Sequence, residues 1–180
     1  MMRLAHIHEE VHDMVYLKAA NYEDIEKEFL FVQDMPVDEN GMTNEWYGIS
    51  REDFERKALK EMIAFSKGEN LPDGYVPETF LFLWDDDEIV GQFRIRHFLC
   101  ESLKMGAGHI GYFIKKECRG RGYGKEGLRQ ALQIARDIIP EDEIYLRVNK
   151  NNPVSLNVML HNGGYIEHED EHKYYVRIKK

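Results

Sequence analysis

Arg119-Gly120-Arg121-Gly122-Tyr123-Gly124 lies between an apolar strand-like run, His109 to Ile114, and a long amphipathic helical pattern from Lys125 to Ile139. Three alternate glycines let the backbone turn tightly and approach a ligand closely, and a helix that starts there leaves its first amides unpaired and pointing outward. Such a place is an anion cradle. Backbone N–H groups and the positive end of the helix dipole favour negative charge, and Arg119, Arg121 and Lys125 set mobile cations on the rim. A pyrophosphate fits it, and the surrounding elements decide which one.

Downstream of the loop, Leu128, Ala131, Leu132, Ile134, Ala135 and Ile138 form one helix face, and Pro140 stops it before a strand, Ile144 to Val148. A strand, a helix and a second strand in that order imply parallel pairing. Asn149 to Pro153 then turns into a short helix, Val154 to Leu160, closed by Asn162-Gly163-Gly164. Tyr165 to His168 and Tyr174 to Ile178 read as a final hairpin. Upstream, Thr79 to Trp84 and Ile89 to Cys100 are β-rich runs joined by Asp85-Asp86-Asp87. The connection Lys104 to Gly108 then makes His109 to Ile114 the third strand of an antiparallel meander. The first half reads as a strand, Val11 to Lys18, and a helix capped by Asn21. A loop over Asp34 to Gly48 follows, then a helix capped by Ser50 and ended by Gly68. The prediction is an α/β (α+β) domain, 1–180, with a mixed, mostly antiparallel sheet of about seven strands and about four helices.

Composition narrows the function. A chain of 180 residues, 43% apolar and 32% charged, is long enough for one domain with a real core and has no run that spans a bilayer, so no membrane partner is expected. Acids outnumber bases 33 to 24, for a net charge of −9, which argues against general nucleic-acid binding. No secretory signal opens the sequence, and Cys100 and Cys118, the only cysteines, fit a reducing cytosol; a cytoplasmic location is expected. His6, His8 and His12 lack a matching carboxylate set, so no metal is expected.

Three nucleotide motifs compete for the loop. A P-loop needs Ser or Thr after Gly-Lys, whereas Gly124-Lys125 is followed by Glu126, which would repel a phosphate. Gly122, Gly124 and Gly127 do spell a dinucleotide fingerprint. However, seven residues separate Ile114 from Gly122 where that fold has only a tight turn, and an antiparallel meander precedes it. The third reading is Arg119-x-x-Gly122-x-Gly124, which matches an R/Q-x-x-G-x-G/A signature, and with its surroundings it resembles the GCN5-related N-acetyltransferase (GNAT) family. Asn152-Pro153-Val154-Ser155 and the terminal Gly164-Tyr165 are similar to a second motif of that family at the right separation.

The resemblance implies an acyl-CoA N-acyltransferase fold in which His109 to Ile114 splays from its parallel neighbour Ile144 to Val148 and acetyl-CoA enters the gap. Gly120, Arg121, Gly122, Tyr123, Gly124 and Lys125 would hold the pyrophosphate with Arg119. Asn152 and Ser155 would meet the pantetheine arm, the free edge of Phe113 and Ile114 would receive its amides, and Tyr112 would flank the acetyl group. The implied activity is direct transfer of acetyl to a primary amine of a small-molecule or peptide acceptor. A non-catalytic acetyl-CoA sensor is the alternative.

The chemistry needs a neutral amine, a donor for the developing oxyanion and a proton for the leaving thiolate. A backbone N–H near Tyr112 or Phe113 is the candidate oxyanion donor. His109 is the first choice of base, since it begins the splayed strand and imidazole titrates near working pH, with Glu101 and Asn149 behind it. Relatives with a tyrosine acid carry it seven residues after the helix-opening Asn, and this chain has Met159 there, leaving Tyr165 or water; the glutamate some relatives use is replaced by Arg147. Arg94 and Arg96 share one strand face, which reads as solvated, with contact to an anionic substrate as the other reading. The C-terminal hairpin offers an edge for a homodimer.

Overall fold

The computed structural model describes residues 15–180; the start of the Val11 to Lys18 strand and His6, His8 and His12 lie outside the described residues. β1 (Val15–Ala19) leads to α1 (Ile25–Asp34), then to a hairpin of β2 (Asp38–Glu39) and β3 (Met42–Thr43). α2 (Arg51–Asp53) passes through a π-helical segment (Phe54–Leu59) into α3 (Lys60–Ser66). β4 (Glu78–Asp85), β5 (Glu88–Arg96), α4 (Glu101–Lys104) and β6 (Ile110–Ile114) follow. The chain ends with α5 (Tyr123–Ile138), β7 (Glu143–Asn149), α6 (Pro153–His161), β8 (Tyr165–Glu169) and β9 (Lys173–Lys179). The seven longer strands form a four-stranded sheet, β1-β4-β5-β6, and a three-stranded one, β7-β9-β8, with every strand pair antiparallel.

Local chemistry sets the boundaries. Ser50 Oγ accepts the Asp53 amide at 3.1 Å, as a cap should. α5 ends because Ile139, before Pro140, is held extended (φ −79°, ψ 125°), the conformation that proline imposes on its predecessor. Two departures from expectation stand out. The predicted loop Asp34 to Gly48 contains the β2–β3 hairpin, turned by Asn40 and Gly41 at φ 57° and 86°, and Cys100 caps the short helix α4 instead of ending a strand.

Two apolar layers clamp the larger sheet. On one face Leu81, Leu83, Phe93 and Ile95 meet Leu128, Leu132 and Ala135 of α5, which also covers Ile144, Leu146 and Val176 of the second sheet. α5 therefore holds the two half-sheets together. On the other face Phe31, Val32, Phe54, Leu59 and Met62 pack on Phe80, Phe82 and Phe113, with Phe31 edge-on to Phe82 and Phe113 at ring separations of 5.7 and 6.1 Å. Each such side chain contributes about 1.5–3 kcal/mol by leaving water.

One buried polar group gives a testable consequence. Glu28 of α1 is fully buried, accepts the Asn21 amide at 3.0 Å, and burial pushes its carboxyl up to about 8. The folded state then holds a proton that the unfolded chain gives up above its ordinary value of 4.5. Stability contributed by the neutral carboxyl is thus complete below pH 4.5 and is lost as pH rises toward 8, at up to about 1.4 kcal/mol per pH unit. Urea midpoints measured from pH 5 to 8 should fall with that slope and flatten in Glu28→Gln; parallel profiles for both proteins would disprove the assignment.

Candidate active site

The sheets part beside β6. His109 N–H donates to Tyr145 O at 2.7 Å, but the answering Tyr145 N–H is taken by His109 Nδ1 at 2.9 Å, so a side chain ends the ladder after one backbone bond. Gly108, at φ 70°, permits this approach, since a Cβ there would lie 2.5 Å from Tyr145 O. Beyond that point no backbone hydrogen bond joins β6 to β7 among the described residues, which leaves a wedge between the strands where the sequence predicts a splayed pair.

The register with β5 fixes which peptide groups of β6 face the wedge. Arg96 N–H donates to His109 O and Lys115 N–H donates to Val90 O, so with a period of two Gly111 and Phe113 also bond β5. Ile110, Tyr112 and Ile114 present their N–H and C=O groups outward. The expected edge of Phe113 and Ile114 is corrected here: Phe113 spends its peptide groups on β5 and its ring in the core beneath α1, where Arg119 lies 5.6 Å over it. The Tyr112 hydroxyl crosses to Ser155 Oγ at 2.6 Å, its ring stacks on Phe93 at 5.3 Å, and burial pushes the phenol up to about 12, so it is neutral.

At the C-terminal end of β6, a 3-10 turn (Lys116–Cys118) leads to the glycine loop. Gly120 and Gly122 adopt φ 80° and 89°, and a Cβ at either would meet nothing within 4 Å. Among the described residues the amides of Gly120, Arg121, Gly122, Tyr123 and Gly124 make no hydrogen bond, while Lys125 and Glu126 return theirs to Gly122 O. The loop is an open row of donors at a helix start, suited to a pyrophosphate. Glu126, whose charge would oppose an anion, is turned to Arg129 and Gln130. Arg119 is fixed by Ile114 O at 3.0 Å and by Glu39 of the β2–β3 hairpin at 2.6 Å. Sequence reasoning missed that hairpin, although Asn40-Gly41 is the strongest short hairpin signal there is.

Across the wedge, Asn152 Oδ1 caps α6 on the Ser155 amide at 3.1 Å and leaves its Nδ2 without a partner among the described residues. Met159 is buried in the core cluster, so nothing at the usual acid position offers a proton. Tyr165 lies on β8, outermost in the second sheet, with its hydroxyl on Glu143, and is not brought to the wedge. Glu101 is exposed on α4 beside Lys104.

His109 is also corrected as a base. It is 0% exposed, Nδ1 holds the Tyr145 amide, and Nε2 lies 3.2 Å from Glu141 Oε2, which leaves no lone pair for an acceptor amine. Burial keeps its pKa below the usual value, so the imidazole is neutral in the fold. An unfolded histidine protonates near 6.5; stability is therefore complete above that pH and falls as acid is added toward the folded value. His109→Gln should lose roughly 2 kcal/mol at pH 8, where a buried amide partner is disturbed, yet show a shallower decline between pH 6.5 and 5 in thermal melts. A decline as steep as the parent's would contradict this.

Wedge, donor row and crossing helix together make a cleft with an open strand edge on one side and a row of unpaired amides at its end. The family model of the GNAT acetyltransferase domain matches residues 15–164, and the chain belongs to that family. Among solved structures it is similar to the N-acetyltransferase PseH of Campylobacter jejuni in complex with acetyl coenzyme A. The identity is 20% and the TM-score 0.56, with 93% of this chain and 99% of that one covered. It is also similar to a ribosomal-protein-S5-alanine acetyltransferase from Vibrio fischeri (14%, TM-score 0.65, 93% and 97%). A third similar structure is a spermidine N-acetyltransferase SpeG chimera from Vibrio cholerae and hSSAT (15%, TM-score 0.59, 92% and 95%). No curated protein matches at a significant level. Among the described residues no helix is long and apolar enough to cross a membrane, and no group of three or more His, Cys, Asp or Glu is disposed to hold a metal.

Proposed function

We propose that the chain is an acetyl-CoA-dependent N-acetyltransferase that moves acetyl directly to a primary amine. The observation that carries this reading is the row of five unpaired amides from Gly120 to Gly124 at the open end of the wedge. Arg121 and Lys125 add charge at its rim, Ile110, Tyr112 and Ile114 supply the strand edge for the pantetheine amides, and Asn152 Nδ2 is the free donor opposite. Acetyl-CoA brings an activated thioester, so the protein's task is mainly to position two reactants, worth about 7–11 kcal/mol. The amine lone pair attacks the carbonyl carbon while the Tyr112 N–H stabilises the oxyanion. The C–S bond then breaks with its electron pair on sulfur, and water takes the ammonium proton and returns one to the thiolate, as neither His109 nor Met159 serves.

Thiol release from acetyl-CoA, followed with a panel of primary amines, tests this. Amine-dependent release is the expected result. Tight CoA binding with no turnover on any amine would favour a sensor, and NADH binding as tight as CoA would overturn the cofactor assignment.

A further inference from the structure

Arg94 does not lie on a solvated face, as its alternation with Arg96 suggested. It is 5% exposed, on β5 opposite Gly111 of β6, with Nη2 on Thr43 O at 2.9 Å, its guanidinium 4.8 Å from the Phe80 ring centre, and Nε without a partner. Arg96 has a carboxylate, Glu78, at 3.4 Å. Among the described residues Arg94 has none within ion-pair distance; Glu78 and Glu45 act on it only from farther away. From the other half-sheet Arg147 of β7 brings Nη2 to the same hairpin, 3.7 Å from where a Gly41 Cβ would stand, and it too lacks an ion pair among the described residues. Two guanidinium groups without an ion pair among the described residues, Arg94 buried and Arg147 half-buried, thus approach the Gly41–Thr43 turn from both sides of the wedge. A Cβ on Gly111 would meet Met42 Sδ at 3.3 Å, and one on Gly41 would have only Arg147 Nη2 within 4 Å.

A charge taken out of water without a counter-ion is costly, and a protein keeps one where something else compensates it. We infer that Arg94 and Arg147 form the specificity clamp of the acceptor site and that the acceptor is an amine bearing an anionic group, a carboxylate or a phosphate. The clamp rests on the proposed transferase reading. A planar guanidinium offers paired donors to either oxyanion, and its charge at the mouth works against the chain's net −9, which by itself would draw in polycations instead. Anchored by its anionic end under the hairpin, such a molecule has its amine free to reach the edge at Tyr112.

Paired acceptors with and without the anionic group test the clamp: γ-aminobutyrate against the nearly isosteric 4-aminobutanamide, and phosphoethanolamine against ethanolamine, with putrescine as the polycation. The wild-type protein should prefer an anionic member at least tenfold in kcat/KM, and whichever pair shows the larger ratio identifies the oxyanion. In Arg94→Gln and Arg147→Gln that ratio should fall toward one, a change that general loss of activity does not produce; Arg147, half-buried, is the safer position if Arg94→Gln fails to fold. Equal turnover within both pairs, preference for putrescine, or a ratio unmoved in Arg147→Gln would overturn the clamp. Calorimetry with acetyl-CoA separates the two proposals. Binding with turnover of other primary amines but none of these defeats the clamp alone, whereas no binding, or binding without turnover of any primary amine, defeats the transferase reading itself.

Discussion

Acetyl-CoA is expected to bind Gly122→Val at least 100-fold more weakly than the parent protein. Gly122 holds φ 89° and ψ −9° immediately before α5, a conformation that strains any side chain by about 1–2 kcal/mol and a β-branched one most. Nothing lies within 4 Å of the position a Cβ would take, so the new side chain would not clash with the protein; it would occupy the space in front of the unpaired amides. Both effects act on the ligand. A loop relaxing from the left-handed conformation swings the Arg121 and Tyr123 amides out of line, and a loop that holds its shape carries isopropyl where an oxyanion belongs. Two lost hydrogen bonds to a charged group, each about 1.5–3 kcal/mol, correspond to roughly 100-fold or more in Kd. Arg121→Gln is the comparison: an exposed, mobile cation contributes about 0.2–1 kcal/mol, or less than about sixfold. Titration calorimetry of both variants, with circular dichroism to check folding, decides the matter, and equal losses would mean the loop binds through its charges and not its backbone.

The contrast between these two positions shows what was legible in the sequence. Glycines at alternate places before a helical period specify a backbone event, and the loop, α5 and the β4–β5–β6 meander all follow from local patterns of period two or 3.6. What could not be read locally depends on register or on distant partners. Phe113 and Ile114 look alike as strand residues, and only the pairing Val90 with Lys115 and Arg96 with His109 assigns Ile114 to the wedge and Phe113 to β5. His109 has the composition of a base, yet its ring replaces a carbonyl in the ladder to Tyr145, a position set by Gly108 and by a strand 36 residues away. The β2–β3 hairpin has a legible Asn40-Gly41 turn but strands of two residues, too short for periodicity to register, and its contacts to Arg94, Arg119 and Arg147, which no local pattern shows, join it to three elements far along the chain. The proposed acceptor side is built from such contacts, and for that reason the proposed donor half was much the more legible.

The largest loss of stability is expected from Gly127, the third glycine of the apparent dinucleotide fingerprint. Its place has nothing to do with nucleotides: a Cβ there would lie 2.4 and 2.5 Å from two carbons of the Phe93 ring and 3.1 Å from Leu83. Helix propensity favours alanine over glycine by about 1 kcal/mol at an interior position of α5. Steric cost wins, because Phe93 is 0% exposed and cannot swing away as the tip of a flexible chain can. Overpacking of this kind costs about 1–3 kcal/mol and sometimes more, and the close approach to a buried ring puts it at the upper end, so after the helix gain Gly127→Ala should lose roughly 2 kcal/mol net and Gly127→Leu more. Gly124→Ala on the same helix meets Val158 at 3.4 Å, an ordinary contact, and should be neutral or slightly stabilising. Urea unfolding of all three gives the order. Because Phe93 stacks on Tyr112, and Tyr112 reaches Ser155 across the wedge, a ring pushed off its place by Gly127→Ala should also weaken acetyl-CoA binding, although Gly127 is not in the loop. A variant that loses stability but keeps the parent's Kd would show that the sheet beneath α5 yields without moving the edge that faces the ligand.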